Sequence, residues 1–343
     1  MNLNDILDTL ISEGSPAVIY RTRKEILHEH LSEQEYISYQ KQIFAEPKMQ
    51  EVLSWQNTDG YFGTRLHTPP SGSKIWPHEG CVRYLLEMGI DGNSERVKRA
   101  MEIMLQPGWG KECENSATAS LIGYEMIRAS LFAQAGYCEY DFVKKWVNNG
   151  LQCFRNIAEA DDYKDLVYER TDHKLVCKDG IFLPVIYHLR LFAFTDFWRT
   201  EENLEMLKNA YEKLYPWLPL PPIYYKCKSH PAAPLGPVSW PVNQKFNDKF
   251  GFFWLQFYEL SARAGLLGKT SPFRRHFEEF KESVLTQDES LIECTKKKNN
   301  AYIFWSGYSG IFLKSDAKTQ QQRMRDLMFR VMLIDTYIQG NES

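Results

Sequence analysis

One joint recurs along this chain and leaves few folds open to it. An apolar helix ends at a small residue, a short polar turn follows, and a charged amphipathic helix begins. YLLEMGIDGNSERVKRAMEIML turns at Gly89, SLFAQAGYCEYDFVKKWVNNGLQ at Gly136 and LSARAGLLGKTSPFRRHFEEFKESV at Gly265. LRLFAFTDFWRTEENLEMLKNAYEKL puts Thr195 at the same point. The first helix of each pair is apolar nearly all round, which means burial on both sides, whereas the second has one apolar stripe. Such alternation predicts a double ring or a stacked solenoid, with an ordinary bundle as the alternative. SPAVIYRTRKEILHEHLSEQEYISYQKQIF reads as a further pair. AYIFWSGYSGIFL followed by RMRDLMFRVMLIDTY reads as the last, giving about six pairs. Period-two alternation is nowhere sustained, so the expectation is an all-α single domain over 1–343.

Composition removes several classes of function. Apolar residues make 43% of the 343, enough for a packed interior, and a net charge of −3 without a basic cluster speaks against nucleic acid. The N-terminal MNLNDILDTLISEGS has acids where a signal peptide carries Lys or Arg. No apolar run approaches the roughly 18–20 residues of a membrane span. Seven cysteines, an odd number without any C-x-x-C, suggest reduced thiols and a cytoplasmic protein. Aromatic residues reach 14%, so the core or a cavity is rich in rings.

QNTDGYFG, residues 56–63, resembles the Gln-x-x-Asp-Gly-x-aromatic-Gly joint of terpenoid cyclases and protein prenyltransferases, the α/α-toroid superfamily. Gln56, Asp59, Gly60, Phe62 and Gly63 match it, with Phe where the cyclases usually carry Trp. PVIYHLRLFAFTDFWRTEEN and SPAVIYRTRKEIL are similar to segments of bacterial squalene-cyclase-like proteins. The resemblance implies a single α/α toroid of inner and outer helix rings around a central cavity. It implies an isoprenoid-like or other apolar ligand, and cyclisation or prenyl transfer. A non-catalytic binding protein or interaction scaffold, and a carbohydrate-active toroid hydrolase or lyase, remain open beside it.

Candidate site residues follow from position on the apolar helices. His78, Glu79 and Cys81 fall within one turn at the start of the first, where His78 and Cys81 have the spacing of a zinc pair. Glu112, Cys113 and Glu114 open the second, at a helix end that favours acids in any case. In GIFLPVIYHLRLFAF, Tyr187 and Arg190 share a face, and His188 and Arg190 are polar groups in an apolar helix that need a structural partner or, where they face a cavity, serve anion binding or acid–base work. Phe250, Trp254 and Phe257 form a stripe that serves a cavity wall or a core equally well; Tyr302 and Trp305 begin the last helix.

Asp161, Asp162 and Asp165 spell the Asp-Asp-x-x-Asp of ionising terpene synthases, where carboxylates hold magnesium. They sit in a charged connector, and Gly251 and Leu255 stand where the second magnesium motif needs Ser/Thr and Glu. No cofactor is certain; magnesium and zinc are each open. Residues 215–243 hold eight of the 16 prolines and read as a belt or lid without helix or sheet interior, bringing His230 and Trp240 over a cavity. Glu79, Glu112, Glu114 and Asp248 are the acids available to a sugar-cleaving reaction. The catalytic candidates are therefore His188, Arg190, Glu114 and Asp248. The binding candidates are His78, Glu79, Tyr187, Trp240, Trp254, Tyr302 and Trp305.

Overall fold

The computed structural model describes residues 3–70, 72–107, 109, 119–226, 253–287 and 319–341. Helices dominate these residues. The N-terminal part holds α1 (Leu3–Glu13), α2 (Pro16–Arg21) running into a π-turn (Thr22–Ile26), α3 (Glu33–Ala45) and α4 (Pro47–Ser54). Then come α5 (His78–Glu87) with α6 (Glu95–Ile103), α7 (Ala119–Gln134) with α8 (Asp141–Glu159), and α9 (Ile186–Phe194) with α10 (Glu201–Trp217). The chain closes with α11 (Phe253–Arg263), α12 (Pro272–Leu285) and α13 (Gln320–Gly340).

Local chemistry sets these boundaries. Ser15 caps α2 by accepting the Val18 N–H, with Pro16 in the first turn, and Ser32 and Glu35 form a reciprocal capping box on α3. Thr200 accepts the Asn203 N–H at the start of α10, ahead of Glu201 and Glu202. At three of the predicted joints the helix stops on a glycine in left-handed geometry: Gly89 (φ 86°), Gly136 (φ 89°) and Gly265 (φ 77°). Thr195 ends α9 in extended geometry instead, its hydroxyl donating to the Leu191 carbonyl.

The predicted alternation of buried and half-buried helices is present. α5 packs on α7, α7 on α9, α9 on α11, and α11 on α13, which also meets the π-turn. A second series, α8 on α10 and α10 on α12, lies against the first. Where the two series meet, Phe154 stacks on Tyr211 and packs at a tilt against Phe192. Full burial of each such side chain contributes about 1.5–3 kcal/mol before entropy is counted. RMRDLMFRVMLIDTY, expected to be the half-exposed member of the last pair, is instead buried along most of α13, arginines included. AYIFWSGYSGIFL lies outside the described residues.

The all-α expectation holds in outline, and two details depart from what the sequence suggests. The fold is mostly helical but not purely so: β1 (Val167–Glu169) pairs antiparallel with β2 (Leu175–Cys177), and β2 pairs parallel with β3 (Ile223–Tyr224). Strands of two or three residues are too short to show an alternating pattern. The proline-rich stretch also begins with regular structure. α10 continues through Pro216 to Trp217, and β3 occupies a sheet edge, where prolines are tolerated. Residues 227–243 lie outside the described residues.

The QNTDGYFG joint is a hydrogen-bonded clamp. The Gln56 amide donates to the Gly60 carbonyl at 3.0 Å and to the Arg96 carbonyl in α6 at 2.9 Å. Asp59 accepts the Tyr61 N–H, and Phe62 is fully buried. Gly60 has φ 100°, and a Cβ there would stand 2.5 Å from the Arg99 carbonyl oxygen. Gly60→Ala is therefore expected to lower stability by about 2–3 kcal/mol. Urea unfolding checks this, and an unchanged midpoint would show that the joint is not structurally demanding.

Candidate functional site

At the N-terminal ends of α5 and α9, two backbone bonds pin the preceding loop: His78 N–H to the Arg65 carbonyl and Glu79 N–H to the Leu66 carbonyl, both 2.9 Å. They seat His67 over Glu79, the second residue of α5. His67 Nδ1 lies 2.7 Å from Glu79 Oε2. The Tyr187 hydroxyl, one residue into α9, is 3.3 Å from the same oxygen and 3.4 Å from His67 Nδ1. Arg190, one turn further along α9, sets its guanidinium 3.6 Å from Glu79 Oε1. Glu79 is fully buried, and the His67 side chain keeps 32% of its surface exposed.

Electrostatics assign the protons. Burial alone would raise the Glu79 carboxyl, but His67, Arg190 and Arg83 outweigh it and hold the carboxyl below its ordinary range. Burial alone would lower His67, yet the bond to Glu79 and that group's charge keep the imidazole above its ordinary value. An ionised Glu79 fixes Nδ1 as the protonated nitrogen and leaves Nε2 as the basic one in the neutral ring. The arrangement is a carboxylate-oriented imidazole with a phenol beside it, suited to taking a proton and returning one.

A lattice of ion pairs joins the C-terminal halves of α5 and α11 to the π-turn and α13. Arg83 pairs with Glu87 along α5 at 3.1 Å, and Glu259 with Arg263 along α11 at 3.2 Å. Arg21 Nε meets Glu25 on the π-turn at 2.5 Å, and Arg263 reaches the same Glu25 at 2.8 Å. Arg330 of α13 bridges Glu87 and Glu259. Glu87 is held at about 2, burial being outweighed by Arg330 and Arg83; Glu25 is likewise held low, burial being outweighed by Arg21 and Arg263. Groups held ionised in this way can bind and brace but do not exchange protons near neutrality, which sets the lattice apart from the His67 end. Above the lattice a cavity of about 330 Å³ opens where α5, α7, α9 and α11 end.

The predicted residues divide. Tyr187, Arg190 and Glu79 come together as described, Glu79 as the residue that orients His67. His188 does not join them. Its Nδ1 accepts the Val185 N–H at 3.1 Å and its Nε2 meets Asn149 of α8 at 3.1 Å, so it faces the second helix series. His78 cannot serve as a zinc ligand or a substrate contact, because both ring nitrogens are engaged: Nδ1 accepts the Phe62 N–H at 3.0 Å and Nε2 donates to the Ala100 carbonyl at 3.1 Å. Cys81 is buried, and burial pushes its thiol well up. No group of three metal-ligating side chains occurs among the described residues.

Trp254, expected on a cavity wall, packs fully buried against Phe273 and His276 of α12. Asp162 and Asp165 cap an exposed 3₁₀ turn, away from any apolar helix mouth. Glu112, Cys113, Glu114, His230, Trp240, Asp248, Phe250, Tyr302 and Trp305 lie outside the described residues. No described helix is long and apolar enough to cross a membrane.

The buried histidines predict a pH dependence. Burial lowers His78 to about 4, His188 to about 3 and His276 to about 4. Their depressed values mean that the unfolded chain binds protons first. Stability is then complete above pH ~6.5 and falls by about 1.4 kcal/mol per pH unit for each as pH drops below it. His67 works in the opposite sense, its contribution present below pH ~6.5 and lost as pH rises through its elevated value. Urea unfolding at pH 5 should therefore give clearly lower stability than at pH 7. Equal stability at both would contradict the neutral, buried assignment.

His67 carries no signal in the sequence, because RLHTPPSGSKIWP reads as a loop and offers no helix face to mark it. No known protein family, curated protein or solved structure matches the chain.

Proposed function

We propose that this chain is an α/α toroid that performs acid–base chemistry on an acidic carbohydrate at the N-terminal mouth of its inner helices. The ring reading draws support from the unbroken packing of α5 through α13 and the contact of α13 with the π-turn. A bond from Arg21 beside that turn to the Glu87 carbonyl at 2.9 Å joins the first pair to α5. The observation that carries the chemistry is the 2.7 Å contact between His67 and the fully buried Glu79.

The reaction class is β-elimination from a uronate. His67 Nε2 takes the proton at the carbon next to the substrate carboxylate, and the released electron pair forms a double bond to the adjacent carbon. The glycosidic C–O bond on that carbon breaks, and the departing oxygen takes a proton from the Tyr187 hydroxyl or from water. Arg190 and Arg83 lend positive potential to the charge that develops beside the carboxylate. Hydrolysis fits less well, since Glu79 is held ionised and cannot act as an acid. An isoprenoid reading draws little from the described wall, which is charged where that ligand needs rings and aliphatic surface. The interaction-scaffold reading is favoured by one observation, the ion pairs filling the middle of the molecule.

The test is a panel of uronate-containing polysaccharides, neutral glycans and prenyl diphosphates, read by ultraviolet absorbance of an unsaturated product and by product analysis. Turnover of a uronate polymer that depends on His67 supports the proposal. Turnover of a prenyl diphosphate or neutral glycan that is unaffected by His67→Ala, or no turnover of any substrate, argues against it.

A further inference from the structure

The cavity at the other end of the helices shares only Arg190 with that cluster, and its wall is unusual. Arg21, Lys24, Arg190 and Arg263 line it opposite Glu25, Glu87, Asp91 and Glu259, so its formal charges cancel. Its hydrogen-bonding capacity does not cancel. Arg21 spends three of its five N–H groups, two on Glu25 and one on the Glu87 carbonyl. Arg263 likewise spends three, on Glu259, Tyr337 and Glu25. Guanidinium donors therefore remain beside carboxylate oxygens that still carry lone pairs. The rings of Tyr20 and Phe194 add apolar faces to the same wall.

We infer that this cavity is a binding site for a small neutral polyol or sugar. A hydroxyl group both accepts from guanidinium and donates to carboxylate, so a ring bearing several of them satisfies alternating partners without upsetting a balanced charge. A simple anion or cation meets repulsion from half the wall. The C–H faces of a sugar ring suit the flanking aromatics. At about 330 Å³ the space equals about ten water molecules, the scale of a mono- or disaccharide. The Glu25 carboxylate sits on a π-turn, an insertion frequent at functional sites. Arg190 also faces Glu79 at the other mouth, but the remaining wall groups take no part in the His67 cluster, so this site stands whether or not the elimination reaction does.

The experiment is isothermal calorimetry and saturation-transfer NMR on the full chain with myo-inositol and neutral mono- and disaccharides. Inorganic phosphate and glycine serve as charged comparators at fixed ionic strength. Lys24→Ala and Asp91→Asn change rim groups without touching the buried lattice, and His67→Ala reports on the opposite mouth. Saturable binding of a neutral polyol, weakened five- to tenfold by either rim variant and unchanged in His67→Ala, is the expected result. Binding confined to phosphate or glycine overturns the inference. So does polyol binding lost in His67→Ala, polyol binding indifferent to both rim variants, or no saturable polyol binding.

Discussion

His67→Ala is expected to reduce kcat/KM on a uronate polymer about 10²- to 10⁴-fold, the ordinary contribution of a positioned acid–base group. The loss should fall mainly on kcat, because His67 acts on the proton in flight and not on the resting substrate. Stability should fall by about 1–3 kcal/mol, since the buried Glu79 loses its nearest partner but keeps Tyr187 and Arg190. Glu79→Gln tests the same dyad from the buried side. Without the carboxylate the imidazole loses the partner that fixes its tautomer, and the pH–rate profile should shift toward lower pH as the His67 value falls. A profile that stays in place would mean that Glu79 does not govern His67. Fold must be checked beside activity in that variant, because Glu79 is fully buried against Arg190.

The second large effect lies in the ion-pair lattice. Arg330 is 3% exposed and bridges Glu87 and Glu259 from different helices. Arg330→Met would leave both carboxylates short of a cation, at a cost of about 3–5 kcal/mol. A double variant, Arg330→Met with Glu259→Gln, should recover part of that loss, because one stranded charge is then removed. Burial shields these pairs, so added salt should do little to the difference. If Arg330→Met unfolds at the same urea concentration as the parent, the lattice braces nothing.

The helix pairs were legible because the pattern has a physical cause: a helix buried on both sides must be apolar nearly all round, and one at the surface need not be. Gly89, Gly136 and Gly265 marked the stops for the same reason, each taking the left-handed geometry that other residues resist. α13, expected as the half-exposed member of the last pair, is buried along most of its length, and Arg330 points inward to Glu87 and Glu259. The lattice had a signal in the sequence that went unused. Arg21–Glu25, Arg83–Glu87 and Glu259–Arg263 are each four residues apart, the last two within apolar stretches, and that spacing puts both groups of a pair on one helix face. Paired charges at that spacing inside buried helices identify the side that faces the centre.

The site was legible in part. Tyr187 and Arg190 stood out as polar groups in an apolar helix, and both reach Glu79. His188 stood out identically, but one residue of helical rotation turns it toward Asn149 and the second helix series. Periodicity says which residues share a face; it does not say which face looks inward. His67 was out of reach by that route, since a loop residue has no face until its backbone is pinned, here by the bonds from His78 and Glu79.

The most direct test of the acid–base assignment is an NMR titration of the His67 ring in the intact protein, following both nitrogens and using His67→Gln to assign the signals. The account predicts an imidazole that titrates above ~6.5 and, once neutral, keeps its proton on Nδ1 toward Glu79. A ring that titrates below that value, or whose neutral form carries the proton on Nε2, would contradict it.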